Sequence, residues 1–283
     1  MKKKMTVCFC GLTVLLGLAV AVFMFAGRTR ALRFVSQMGP GINLGNTLDA
    51  TGLREYRPDA DDLEYETYWG NPKADAETFL AMKKAGFGTV RIPVTWEDHL
   101  DASYQISEVW MDRVQEVVDM ALAADLYVII DLHHEEWLDL RTERAQEIRT
   151  EFAVVWEQIA GRFRDYDETL LFEAMNEPRL RNSEVEWTSG TEELRTMVNE
   201  LNAVFVETVR SSGGGNRKRY LLICPYAGNS ETEAMQGLII PEDGRLIVSV
   251  HMYTPYSFCQ KEDGDKEWDD AGTRERVGQA FFE

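Results

Sequence analysis

Asn176-Glu177, set between the apolar run Leu170-Leu171-Phe172 and Pro178, is the pair in this chain best suited to acid–base chemistry. Pro178 cannot donate to a sheet ladder, so a strand through this stretch is expected to stop there, with the Glu177 carboxyl at its rim. Two other apolar runs end in the same manner. Tyr127–Ile130 leads into Asp131-Leu132-His133-His134-Glu135, and Leu246–Val250 into His251-Met252-Tyr253. Alternation along an extended strand puts Glu173 with Glu177, Asp131 with His133, and His251 with Tyr253 on shared faces. Two chemistries use such a set. In one, a carboxylic acid protonates a glycosidic leaving oxygen while a second carboxylate attacks or activates water, with no metal or cofactor. In the other, Asp131, His133, His134, Glu135 and His251 hold a metal for hydrolysis. Adjacent His133 and His134 are expected on opposite strand faces, which leaves at most one as a ligand and makes the metal reading the weaker.

The elements that must position these residues alternate strand and helix. Strands are expected around Ile42 and Leu44, over 87–94, 127–130, 170–177, 220–224 and 246–250. Between them lie amphipathic stretches: Ala76, Phe79, Leu80 and Ala85; Trp110, Val114, Val117, Val118 and Ala121 behind a Ser107 cap; Ile148, Phe152, Val155, Trp156, Ile159 and Phe163; and Leu194, Met197, Val198, Leu201 and Phe205. A further helix is expected over 273–282, and residues 51–73 read as loop. This alternation gives an α/β class with a parallel sheet. No G-x-G-x-x-G follows the first strand, and polar residues end five strands instead of clustering at one switch point. A (β/α)8 barrel fits, with about six of its eight units present. In that barrel Glu177, His133, His251 and Tyr253 meet at the mouth. Glu173 and Asp131 lie one layer deeper, where Arg91 is the available cation.

The 283 residues are 45% hydrophobic and 28% charged, an ordinary globular balance. A net charge of −18 speaks against a nucleic-acid partner. Lys2-Lys3-Lys4 precede an uncharged run over residues 5–26, followed by Arg28 and Arg30. Residues 1–30 therefore read as an export signal or a membrane anchor, the anchor being favoured because the apolar run continues past Ala19-Val20-Ala21. Either places the domain outside the cell, secreted or held on the extracellular face. Cys224 and Cys259 are expected as two free buried thiols.

Six blocks carry a family resemblance: GINLGNTLDA at 41–50, YWGNP at 68–72, TVRIPVTW at 89–96, YVIIDLHHE at 127–135, LLFEAMNEPR at 170–179 and LIVSVHMYTPY at 246–256. Over residues 38–283 the chain resembles glycoside hydrolase family 5, and most of all the endoglucanases of its fourth subfamily. The resemblance implies a monomeric, retaining, endo-acting β-1,4-glucan hydrolase. Xyloglucan, mixed-linkage glucan, xylan or mannan are alternative substrates, and an inactive glycan-binding remnant is the rival from another class. It implies Glu177 as acid/base and Asn176 as the contact to the sugar 2-hydroxyl. Arg91 resembles the arginine that keeps the nucleophile ionised. His133 and His251 resemble histidines lining the −1 subsite, and Tyr253 the tyrosine beside the nucleophile. Trp69 and Trp137 are expected as sugar-stacking platforms, with His134 and Asn46 as further substrate contacts. The family's attacking Glu, in an I-G-E-F-G-like block ending strand 7, has no counterpart in residues 1–283. The chain thus reads as truncated before strand 7, with strands 1 and 6 as unpaired edges.

Overall fold

The computed structural model describes residues 31–253 and 255–264. The export or anchor segment and the helix expected over 273–282 lie outside them. Among the described residues, no helix is long and apolar enough to cross a membrane. Six strands, β1 (Gly41–Asn43), β2 (Thr89–Ile92), β3 (Tyr127–Asp131), β4 (Leu170–Glu173), β5 (Leu221–Ile223) and β6 (Leu246–Val248), pair in parallel in sequence order. The helices are α1 over residues 31–38, α2 (Ala76–Lys84), α3 (Glu108–Ala123), α4 (Ala145–Arg162), α5 (Glu192–Ser211) and short pieces after β5 and β6. Residues 51–73, expected as loop, contain short helical turns at Leu53–Tyr56, Asp62–Glu64 and Tyr65–Tyr68, with Tyr65 fully buried.

Helix starts follow local chemistry. The Asp75 carboxylate accepts the Thr78 N–H at the head of α2, and the Thr191 hydroxyl accepts the Leu194 N–H at the head of α5. Ser107 occupies the cap position of α3 as expected, but its hydroxyl donates to Asp62 and ties the helix to the 51–65 segment instead. In α2, Phe79 is buried whereas Leu80 is 56% exposed. The next residue along a helix is turned about 100° away, so Leu80 leaves the stripe on which it was expected.

Strand parity then builds the interior in layers. Val90, Ile92, Val128, Ile130, Leu170, Phe172, Leu221 and Ile223 face the helices in the main core. Ile129, Leu171 and Leu222 face inward and form a second cluster with Phe34, Met38 and Tyr220. Phe34, on α1, stacks on Tyr220 at 3.9 Å and meets Tyr127 edge-on at 5.4 Å, closing the barrel floor with an apolar plug. Register sets Ile129 opposite Leu171 and, two residues further, Asp131 opposite Glu173. The inward face therefore changes from apolar to charged in one step toward the strands' C-terminal ends, where barrel chemistry is found.

Candidate active site

The charged layer is organised by Arg91. Its Nε donates to Glu173 Oε2 at 2.5 Å, and its Nη2 donates to Asp131 Oδ2 at 2.6 Å and to Asn176 Oδ1 at 3.0 Å. Every remaining carboxylate oxygen has a donor. Asp131 Oδ1 accepts the Val94 N–H, and Glu173 Oε1 accepts the Ser249 hydroxyl. Asp131 Oδ2 also meets His133 Nδ1 at 2.7 Å, which fixes that ring. Burial pushes the Asp131 carboxyl up, but the Arg91 and His133 charges outweigh it and hold the group at about 2. Burial pulls Arg91 down, and the carboxylates around it more than compensate, so its pKa is raised.

Glu177 stands one step further out. Its Oε1 is 2.7 Å from His251 Nδ1, and Arg179 Nη1 lies 3.8 Å from its Oε2. Desolvation raises the Glu177 pKa, yet the hydrogen bond and charge of His251, then Arg179 and His133, reverse this and leave it below the ordinary carboxylate value. Two hollows meet here. One, of about 570 Å³, includes Asp49, Arg91, His133, His134 and Asn176 in its wall. The other, of about 740 Å³, includes Trp187, Asn229, Glu231 and Tyr256. Glu177, His251 and Tyr253 border both.

Glu177, Asn176, Arg91, His133, His251 and Tyr253 are thus gathered as expected, but by a different route. Strand β4 ends at Glu173, four residues before Glu177. Pro178 is not what stops it. The Ala174 N–H still donates to Leu222 O on β5, and the Asn176 N–H then crosses to Leu132 O. The parity rule likewise lapses after Asp131, where β3 ends. His133 and His134 both border the smaller hollow, with rings 4.5 Å apart, and do not point to opposite faces. Burial, followed by the neighbouring His133 charge, takes the His134 imidazole down to about 4. One ligand atom each from Asp49, His133 and His134 lies within 4.8 Å of the others, a spacing that can hold a cation. The Asp49 oxygens already accept the Asn46 and Thr47 N–H groups, and His133 Nδ1 is engaged by Asp131.

Trp69 is 38% exposed and 5.6 Å from His134, a position open to a sugar face. Trp137 is not a platform. It is buried in the core, and its indole N–H donates to Glu135 Oε2. Asn46 is exposed in a left-handed turn with φ of 55°, and Asn43, Gly45 and Asp49 border the hollow in its place. Of the two cysteines, Cys224 is buried and Cys259 exposed; both are free. Trp187 and Arg179 escaped sequence reasoning because they sit in an aperiodic loop. The one signal was an isolated Trp in the polar stretch 181–190.

A second carboxyl pair steadies the rim. Buried Glu135 accepts the N–H groups of Trp96, Glu97 and the Trp137 indole, which joins the segments after β2 and β3. Its pKa is raised well above normal by burial and by Glu97. Burial, with repulsion from Asp98 and Glu136, takes Glu97 up to about 7. A carboxyl raised on folding favours the fold fully below its unfolded value, about 4.3, and loses that contribution as pH climbs through about 7. Glu97→Gln keeps an acceptor for the Glu136 N–H. Its Tm is expected to exceed the parent's by a few degrees at pH 8 and to match it near pH 4, as read by calorimetry across pH.

Residues 56–281 match the family Cellulase (glycosyl hydrolase family 5). Endoglucanase A of Ruminococcus albus is 44% identical over 253 residues, covering 87% of this chain and 68% of the relative. Endoglucanase A of Clostridium longisporum is 41% identical, covering 83% of this chain and 45% of the relative. Among solved structures, XEG5A, a xyloglucan-specific endo-β-1,4-glucanase from a metagenomic library crystallised with cellotriose, superposes with a TM-score of 0.84 at 39% identity, covering 90% of this chain and 74% of that one. A broad-specificity GH5-4 endoglucanase from Clostridium longisporum gives 0.84 at 38% identity, covering 88% and 72%. A parallel sheet with charged residues on its inward face, and a match running through most of the chain, lead to one conclusion: the chain belongs to glycosyl hydrolase family 5, the cellulase family.

Proposed function

We propose that this chain carries the acid/base residue of a retaining, endo-acting β-1,4-glucan hydrolase. The observation that carries the reading is the Glu177 carboxyl, hydrogen-bonded to His251 where two hollows meet. Glu177 protonates the leaving glycosidic oxygen and later takes a proton from the water that releases the sugar. Its pKa is low in the free site. A bound sugar excludes water, which pushes a carboxyl upward into its acid form. Asn176 spends its carbonyl oxygen on Arg91, which leaves its NH2 for the sugar 2-hydroxyl. His133 and His251 line the sugar site with their rings already oriented, and Trp69 offers a stacking face.

The substrate is a β-1,4-linked glucan backbone, in keeping with relatives named endoglucanases and a neighbour holding cellotriose. Lys2–Lys4 and the apolar run after them favour export, so the polymer is met outside the cell. Calorimetric titration of the whole chain with cellohexaose, a xyloglucan oligosaccharide, xylohexaose and mannohexaose tests the reading. Tightest binding is expected for the two glucans. Preference for xylan or mannan would overturn the glucan assignment, and binding of none would overturn the function.

A further inference from the structure

The segments after β1 and β3 bring nitrogen and oxygen ligands to one wall of the smaller hollow. Asp49, His133 and His134 all border it, and one ligand atom from each lies within 4.8 Å of the others. Each is held from behind. The Asn46 N–H donates to Asp49 Oδ2 at 3.1 Å and the Thr47 N–H to Oδ1 at 2.7 Å. A carboxylate oxygen can accept twice, so both keep a lone pair. Asp131 is ion-paired with Arg91 and offers no hydrogen, so in its 2.7 Å contact with His133 the Nδ1 carries the hydrogen and Nε2 keeps the lone pair. A carboxylate behind an imidazole is the arrangement that orients metal-binding histidines. Among the described residues, neither ring nitrogen of His134 has a hydrogen-bond partner. Its backbone N–H donates to Thr95 Oγ1, and its ring rests 4.5 Å from His133 and 5.6 Å from Trp69.

We propose that Asp49, His133 and His134 form a binding site for Zn²⁺, and that the bound ion competes with the glucan for the smaller hollow. Two imidazoles and one carboxylate are a Zn²⁺ ligand set, with water in the fourth position. Bonds of about 2.1 Å set tetrahedral ligand atoms roughly 3.4 Å apart, so a small rotation of the His134 ring and a slight shift of its neighbours close the set. Charge does not oppose this. In the layer beneath, the Asp131 and Glu173 carboxylates face the single Arg91 guanidinium. The ligands are not those that strand alternation favours, because Asp131 is spent on Arg91 and His251 on Glu177. The ion inhibits and takes no part in hydrolysis. Binding of Zn²⁺ stands on these residues alone, whereas competition with a glucan rests on the function given above.

Calorimetric titration of the whole chain with ZnCl₂ alone, and then with cellohexaose in the presence and absence of saturating ZnCl₂, tests this. One Zn²⁺ per chain is expected. His134→Ala should weaken it by about tenfold or more, since even the loss of a supporting group behind a ligand costs that much. Asp49→Asn, which keeps an acceptor oxygen but loses the charge, should weaken it as well. Cys259→Ser, which removes an exposed thiol elsewhere, should leave it unchanged. Zn²⁺ is expected to weaken cellohexaose binding by the parent about tenfold or more, and to have no such effect on His134→Ala. A parent that does not bind Zn²⁺, or parental Zn²⁺ affinity in both folded His134→Ala and folded Asp49→Asn, overturns the site and leaves the function standing. Zn²⁺ binding with cellohexaose affinity unchanged overturns the competition. Failure of the parent to bind cellohexaose in the absence of Zn²⁺ overturns the function and the competition, while the titration with ZnCl₂ alone still decides the site.

Discussion

Purified residues 1–283 are expected to bind cellohexaose and yet to hydrolyse it no faster than their Glu177→Gln variant. The reason lies in the charged layer. A retaining glycosidase needs a second carboxylate free to attack, and the carboxyls nearest Glu177 on the strands are already committed. Both Glu173 oxygens are engaged, by Arg91 and Ser249, and both Asp131 oxygens, by Val94, Arg91 and His133. Moving either toward a sugar would leave Arg91 half-paired in a buried site, which is strongly unfavourable. Loss of a nucleophile typically costs about a millionfold. Supplying a donor with the attack already completed separates the two halves of the reaction. From α-cellobiosyl fluoride and cellobiose the chain is expected to form a β-1,4-linked tetrasaccharide: the acceptor hydroxyl loses its proton to Glu177, its oxygen bonds the anomeric carbon, and fluoride departs. Glu177→Gln should slow this by about 100-fold or more, the usual worth of general base catalysis. Hydrolysis by the parent well above the variant would place a working nucleophile inside 1–283. Binding with neither reaction would favour a glycan-binding remnant.

Legibility tracked regular structure. The order of strands and the layering of their inward faces follow from period-two alternation, so Arg91, Asp131 and Glu173 could be stacked together from the sequence alone. That rule fails where strands stop. His133, His134 and Glu177 all lie beyond their strands' last ladder residues, in backbone whose direction is set by single bonds such as Asn176 N–H to Leu132 O. Their convergence was readable from the family's blocks, but the faces they occupy were not. Trp137 shows the limit for aromatic residues. A Trp after a strand end can cover a sugar or plug a core, and the buried Glu135 carboxylate waiting for its indole N–H decides for the core. Trp187 shows the converse, since the cation that fixes it is eight residues away in a loop with no periodicity to reveal it.

Arg91→Met is expected to lower stability by roughly 3–5 kcal/mol at pH 7, the usual consequence of breaking a buried ion pair from one side. The variant keeps two buried carboxylates and removes the fork that served them and Asn176 together. Arg91→Lys should recover only part of the loss, because one ammonium cannot reproduce separate Nε and Nη2 contacts. The pH dependence identifies the cause. In the parent, Asp131 is held at about 2, below its unfolded value near 3.9. Its contribution is therefore complete above that unfolded value and disappears as pH falls through about 2. The deficit of Arg91→Met, measured by urea unfolding, should accordingly shrink as the solution is acidified from pH 7 to pH 3. Adding Asp131→Asn and Glu173→Gln to Arg91→Met should recover stability at pH 7, since amides in place of carboxylates leave no uncompensated charge behind. A deficit below about 1 kcal/mol, the worth of an exposed pair, or one that does not change with pH, would mean that water already reaches the layer. The carboxylates would then be free to move, and the case against Asp131 or Glu173 serving as nucleophile would fall with it.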